Sequence, residues 1–219
     1  MAKNKSNYGA LFRFCRGVVR LFTKKKKVVG AVPDTPCIFL CRHLDSDGVI
    51  SSLVSIPTVV RPWCLSVFFD KKSSIAQFRD YTFSQKMKKS KAFCKVVSPI
   101  VGSFYTKLVK SAKCIPVYRG EQSNKSIQTI KQSVRALEDG EKILIYNDKD
   151  YANTNTQTEQ GDIYTGFIAV DKMYFKRNGK HIPLVPVFMD EKSIVIHPPV
   201  YCDEPSAVEK VKRGMYNRE

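Results

Sequence analysis

His43 is the only histidine in the first 180 residues, and it sits in Cys37-Ile-Phe-Leu-Cys-Arg-His43-Leu-Asp45-Ser-Asp47-Gly48. An imidazole with a carboxylate close by is an economical general base. The carboxylate keeps one ring nitrogen protonated and leaves the other free to take a proton. On the first turn of a helix, residues four apart face each other, so Asp47 reaches the ring and Asp45, two positions away, does not. Arg119-Gly120 follows the apolar run Ile115-Pro-Val-Tyr, and Asn147-Asp148-Lys149-Asp150 follows another, Ile143 to Tyr146. An arginine at such a place binds a phosphate bidentately or serves as a plain surface charge. Pro186 interrupts a third apolar run, Leu184-Val-Pro-Val-Phe. His181 and His197 have no comparable neighbours and read as surface residues.

The elements that must position these groups follow from periodicity. Residues 38–41 read as a short apolar strand, 48–55 as a helix and 63–69 as a second strand, with Pro57 and Pro62 separating the last two. Residues 71–111 are basic, with apolar residues at mixed spacing, and read as two or more helices. Residues 114–118 are a strand. Residues 123–139 form the clearest helix, with Ile127, Ile130, Val134 and Leu137 as its buried stripe and Gly140 as its stop. Residues 143–146, 184–188 and 194–196 are strands, 163–175 a helix, 151–162 a polar loop, and 205–219 a short polar helix or frayed tail. Strands alternating with helices predict an α/β fold: a mixed, mostly parallel sheet flanked by helices. In such folds ligands bind at strand ends, where His43 with Asp47, Arg119, Asn147-Asp148-Lys149-Asp150 and Pro186 stand.

Composition narrows the partners. The 219 residues carry 37 Lys and Arg against 20 Asp and Glu, a net charge of +17. That surface attracts polyanions: nucleic acid, an anionic membrane face or phosphorylated small molecules. No nucleic-acid-binding signature accompanies the charge, so nucleic acid is not the expected partner. Seven cysteines without a CxxC pair read as reduced thiols, Cys37 and Cys41 as core residues. No ligand set at metal spacing is visible, so neither a metal nor a cofactor is expected.

Residues 1–30 differ from the rest. Tyr8, Leu11, Phe12, Cys15, Val18, Val19 and Phe22 recur at threes and fours between basic residues, and Lys24 to Lys27 follow. This is the pattern of a basic amphipathic helix, which lies on an anionic bilayer or packs on its own domain with a solvated tail. Residues 31–219 are expected to form one domain. No apolar run reaches the ~18 residues that a spanning helix needs.

Four of these segments together resemble the PlsC-like glycerolipid acyltransferase superfamily. Arg42-His43-Leu-Asp45-Ser-Asp47-Gly48 resembles the family's His-x4-Asp block. Ile115-Pro-Val-Tyr-Arg119-Gly120 resembles its second block. Ile145-Tyr-Asn147-Asp148-Lys149-Asp150 falls where the family usually has Phe-Pro-Glu-Gly-Thr-Arg, and Ile182-Pro-Leu-Val-Pro186-Val resembles the fourth. The family's aspartate falls on Gly48, so Asp47 stands one residue early, and its glutamate is the shorter Asp148. The resemblance covers roughly residues 35–200. It implies acyl transfer from acyl-CoA or acyl-carrier protein to a hydroxyl of lysophosphatidic acid or a related lysophospholipid. His43 would be the base, with Asp47 or Asp45 beside it. Arg119 and Lys149 would hold the acceptor phosphate, and Asp148, Gly120 and Pro186 would organise the site. It places the protein at the cytoplasmic face of a membrane, peripherally and without a transmembrane helix. A catalytically degenerate relative that binds lipid without chemistry is the second reading of the same residues.

Overall fold

The computed structural model describes residues 7–118, 124–148 and 162–218. Among these the strands are β1 (Lys27–Val29), β2 (Ile38–Cys41), β3 (Val60–Leu65), β4 (Ile115–Val117), β5 (Lys142–Tyr146), β6 (Leu184–Met189) and β7 (Ser193–Ile196). The α-helices are α1 (Ala10–Phe22), α2 (Asp45–Ser55), α3 (Lys71–Ala76), α4 (Lys91–Ser111), α5 (Asn124–Glu138), α6 (Gly166–Asn178) and α7 (Ala207–Tyr216). The chain is α/β, with mostly parallel strand pairing, as its alternating pattern predicts. It divides into two compact units: Arg16–Arg61 with Ile130–Glu219, and Tyr8–Cys15 with Pro62–Thr129.

In the first unit the strand order is β1-β7-β6-β2-β5. β2 is fully buried over its whole length and runs parallel to both neighbours, with Leu40 opposite Ile145 on one side and Pro186 on the other. Four apolar residues in a row, covered on both faces, mark a central parallel strand. β6 and β7 form an antiparallel hairpin, closed where Asp190 Oδ1 accepts the backbone N–H groups of Lys192 and Ser193. One face of this sheet builds a core from Phe39, Cys41, Leu144, Val185, Val187, Ile194 and Ile196 with Ile56 and Val60. Cys37 and Cys41 are buried here, and desolvation pushes the Cys37 thiol up to about 12. Neither ionises at neutral pH, in keeping with a packing role.

Two arginines of α1 bond to backbone carbonyls of α2 and its C-cap. Arg20 donates through Nε and Nη2 to the Val54 carbonyl at 3.1 and 2.8 Å, and Arg16 Nη2 donates to the Ile56 carbonyl at 3.1 Å. Both therefore sit at the C-terminal end of α2, where its exposed carbonyls and dipole favour cations.

The opposite sheet face meets α7. The sequence pattern reads this stretch as a polar helix or frayed tail, yet Val211, Met215 and Tyr216 are buried on it. Its Gly214 lies against Pro186, whose carbonyl accepts from the His197 N–H at 3.0 Å. Other boundaries shift as well. α2 starts at Asp45, three residues early, and β1 is a short strand that the lysine run conceals. In α5, Val134 and Leu137 are buried, but Ile127 is exposed, and Thr129 and Ser133 take the inward positions instead.

In the second unit β3 and β4 pair in parallel, Cys64 opposite Pro116. An aromatic cluster packs here: half-buried Phe68, Phe78 and Tyr105 meet at centroid distances of 4.8–5.7 Å, and buried Phe83 joins Phe78 at 5.6 Å. The basic stretch after β3 resolves into a 3-10 turn (Ser66–Phe69), α3, a π-helical segment (Gln77–Lys86) and α4. α3 crosses α4 at Gly102, where a Cβ would stand 2.8 Å from the Ile75 backbone, and Ser74 Oγ donates to the Gly102 carbonyl. Among the described residues, α4 alone is long and apolar enough to cross a membrane by length and composition, and only weakly so.

Gly214→Val tests the α7 contact. A Cβ at this position would lie 2.7 Å from Pro186 Cβ, so overpacking should cost about 1–3 kcal/mol. A thermal melt is expected to show a lower midpoint than the wild type.

Candidate functional site

The site assembles where two parallel strands end side by side. β2 runs out into Arg42 and His43, and β5 into Asn147 and Asp148. Asp148 Oδ1 accepts the His43 backbone N–H at 2.7 Å. The Asn147 N–H reaches the Cys41 carbonyl at 3.3 Å, extending the ladder one step beyond the strands. Asp148 is 6% exposed. Burial raises its carboxyl above the ordinary value of 3.8, opposed by the His43 N–H and the positive charge of Arg42. This carboxylate thus fixes the backbone that carries the histidine.

The His43 ring meets Tyr146 edge-on, centroids 5.5 Å apart. Tyr146 is pinned in turn, its hydroxyl 2.6 Å from Ser52 Oγ on α2. Pleating sends Arg42 to the opposite face, where it is buried with its guanidinium 4.3 Å from the Tyr216 ring centre. Cation–π attraction compensates part of the cost of burying that charge.

The turn between strand and helix is strained. Leu44 takes φ 43° and ψ 45°, a left-handed conformation that costs a non-glycine residue of order 1–3 kcal/mol. Gly48 makes the tight closure possible. A Cβ there would stand 2.2 Å from the His43 carbonyl oxygen, closer than atoms approach. Only glycine lets the first turn of α2 close over that carbonyl.

The other residues singled out by sequence fare differently. Asp45 and Asp47 belong to the first turn of α2, and their side chains lie outside the described residues, as do Arg119, Gly120 and Lys149. Pro186 does not sit at the strand end beside His43. It pairs with Leu40 inside the sheet and packs on Gly214 of α7, whose Tyr216 covers Arg42. Asn147 is a residue that spacing did not single out by itself. It is fully buried, and among the described residues neither polar atom of its side-chain amide has a hydrogen-bond partner.

Away from this site, His181 is not the bare surface residue that its sequence context suggests. Its Nδ1 donates to Asp171 Oδ2 at 2.8 Å, and Asp171, fully buried, also accepts the Ile182 N–H at 2.9 Å. Phe175 stacks on the imidazole at 4.3 Å, beside an open cleft of about 1050 Å³. The ten-residue separation crosses the end of α6, which spacing rules for one helix do not reach.

Among the described residues no cluster of three or more His, Cys, Asp or Glu could hold a metal ion. Comparison with protein-family models, with curated proteins and with solved structures gives no match to this chain.

The raised Asp148 carboxyl has a direct consequence for stability. The folded state holds this proton to higher pH than the unfolded chain, so stability falls as pH rises through the window that opens near 3.8 and ends at the higher folded value. Asp148→Asn keeps an oxygen for the His43 N–H and removes that titration. Melts across pH 3–8 should show the variant gaining on the wild type as pH rises through the window, and holding its gain above it.

Proposed function

We propose that the protein transfers a fatty acyl group from a thioester, acyl-CoA or acyl-carrier protein, to a free hydroxyl of lysophosphatidic acid or a related lysophospholipid. The observation that carries this reading is the junction of His43 with Asp148. These residues lie in the first and third of the four ordered segments, 105 positions apart, and meet where two neighbouring strands end, through a 2.7 Å hydrogen bond. The strained turn at Leu44 adds support, because backbone strain of this kind clusters at functional sites.

In this mechanism His43 takes the proton of the acceptor hydroxyl as the oxygen attacks the thioester carbonyl. The tetrahedral intermediate collapses, the carbon–sulfur bond breaks, and the imidazolium returns the proton to the leaving thiolate. The acyl group passes directly between substrates, so no covalent acyl-enzyme is needed. Asp47, or Asp45, orients the imidazole from the first turn of α2. Asp148 holds the His43 backbone, and Arg119 with Lys149 binds the acceptor phosphate. The reaction takes place at the cytoplasmic surface of an anionic membrane, with the protein attached peripherally. The exposed Phe14, Leu21 and Phe22 of α1, with the lysines after it, contribute to that attachment.

Gly48 favours a second reading, a lipid-binding relative without chemistry. It occupies the position at which the resembled family has its aspartate, and the 2.2 Å approach to the His43 carbonyl bars a side chain there.

The test is free-thiol release from acyl-CoA in the presence of lysophosphatidic acid in anionic vesicles. Release should depend on the acceptor and fall about 10²–10⁴-fold in His43→Ala. Vesicle binding without thiol release, from either donor, would favour the non-catalytic relative.

A further inference from the structure

The outer face of α4 has no part in the chemistry above. Cys94, Ser98, Gly102, Thr106 and Val109 recur every three or four residues and form its buried side. Phe93, Val96, Ile100 and Phe104 follow the same period on the opposite side and are exposed, Val96 at 67% and Ile100 at 69%. Lone exposed apolar side chains are ordinary, but an aligned stripe of four marks an interaction surface. The charge around it is one-sided. Residues 81–113 contain eight lysines and no acidic residue. Lys88, Lys89 and Lys91 cluster at the start of α4, and Lys107, Lys110 and Lys113 at its end.

We propose that this face is a docking surface for an anionic lipid bilayer. α4 lies in the interfacial plane, with the aliphatic and aromatic side chains in the headgroup–acyl boundary and the lysines on lipid phosphates. An apolar stripe with cationic ends and no carboxylates fits an anionic bilayer. It fits a second copy of this chain poorly, because two such faces would bring like charges together. The inner side of α4 packs on α3 at Gly102 and Ile75, which leaves the apolar stripe to face the headgroup–acyl boundary.

The experiment is co-sedimentation of the full chain with phosphatidylcholine vesicles containing or lacking phosphatidylglycerol. The wild type is compared with a Val96→Glu/Ile100→Glu variant and, in parallel, a Leu21→Glu/Phe22→Glu variant of α1. All four positions are solvent-exposed, and circular dichroism verifies that each chain is folded. The expected result is binding that requires phosphatidylglycerol, weakens with salt and drops at least tenfold in the α4 variant. Binding unchanged by the α4 substitutions, or lost only with the α1 substitutions, would overturn the proposal. So would equal binding to pure phosphatidylcholine, resistance to extraction by alkaline carbonate, or a concentration-dependent dimer that the α4 substitutions dissolve. None of these readouts uses acyl transfer, so the proposal stands or falls apart from the function proposed above.

Discussion

The bond from the His43 N–H to Asp148 Oδ1 is the constraint on which the site depends. It joins the ends of β2 and β5 where the regular ladder has run out. Without that acceptor the turn into α2 would lose its anchor. With it, the chain reverses at a left-handed Leu44, and Gly48 closes the first helical turn over the His43 carbonyl. The same carboxylate is kept from full solvation by its burial. The site therefore has an acidic group whose proton affinity is raised and whose position is fixed by backbone.

The remaining contacts make that junction rigid from three directions. Tyr146 braces the His43 ring and reaches Ser52 on α2. Arg16 and Arg20 hold the far end of α2 by its carbonyls. On the other sheet face, Pro186 and Gly214 bring α7 close enough for Tyr216 to cover Arg42. Residues that look separate in sequence thus serve one strand-to-helix turn. The lysine-flanked stripe of α4 belongs to the second compact unit and has an independent physical logic, that of a surface rather than a pocket.

Much of this was legible in the sequence because the relevant signals are local. Four apolar residues before His43 identify a buried strand, and β5 and β6 announce themselves in the same way. His43 and Asp148 each stand out at a strand end, but the contact between them was not legible, because it joins residues 105 positions apart. Other features depend on packing between elements remote in sequence. β1 hides in a lysine run because it needs only three residues to pair with β7. The burial of α7 follows from Gly214 on Pro186, a contact that a polar composition masks. Ile127 fits a helical stripe and yet is exposed, because the start of α5 buries Thr129, whose hydroxyl donates to the Pro116 carbonyl. The His181–Asp171 pair crosses a helix terminus, where a fixed spacing rule fails.

The central claim is that His43 is a base for acyl transfer to a lipid hydroxyl. The most direct measurement is mass spectrometry of vesicle lipids after incubation with an isotope-labelled acyl donor and a lysophospholipid acceptor, comparing the wild type with His43→Gln. The account predicts label in a new ester on the acceptor with the wild type, and essentially none with the variant. Labelled product formed equally by both chains would contradict the role of His43. Absence of product from a folded, vesicle-bound wild type across CoA and carrier-protein donors would contradict acyl transfer itself.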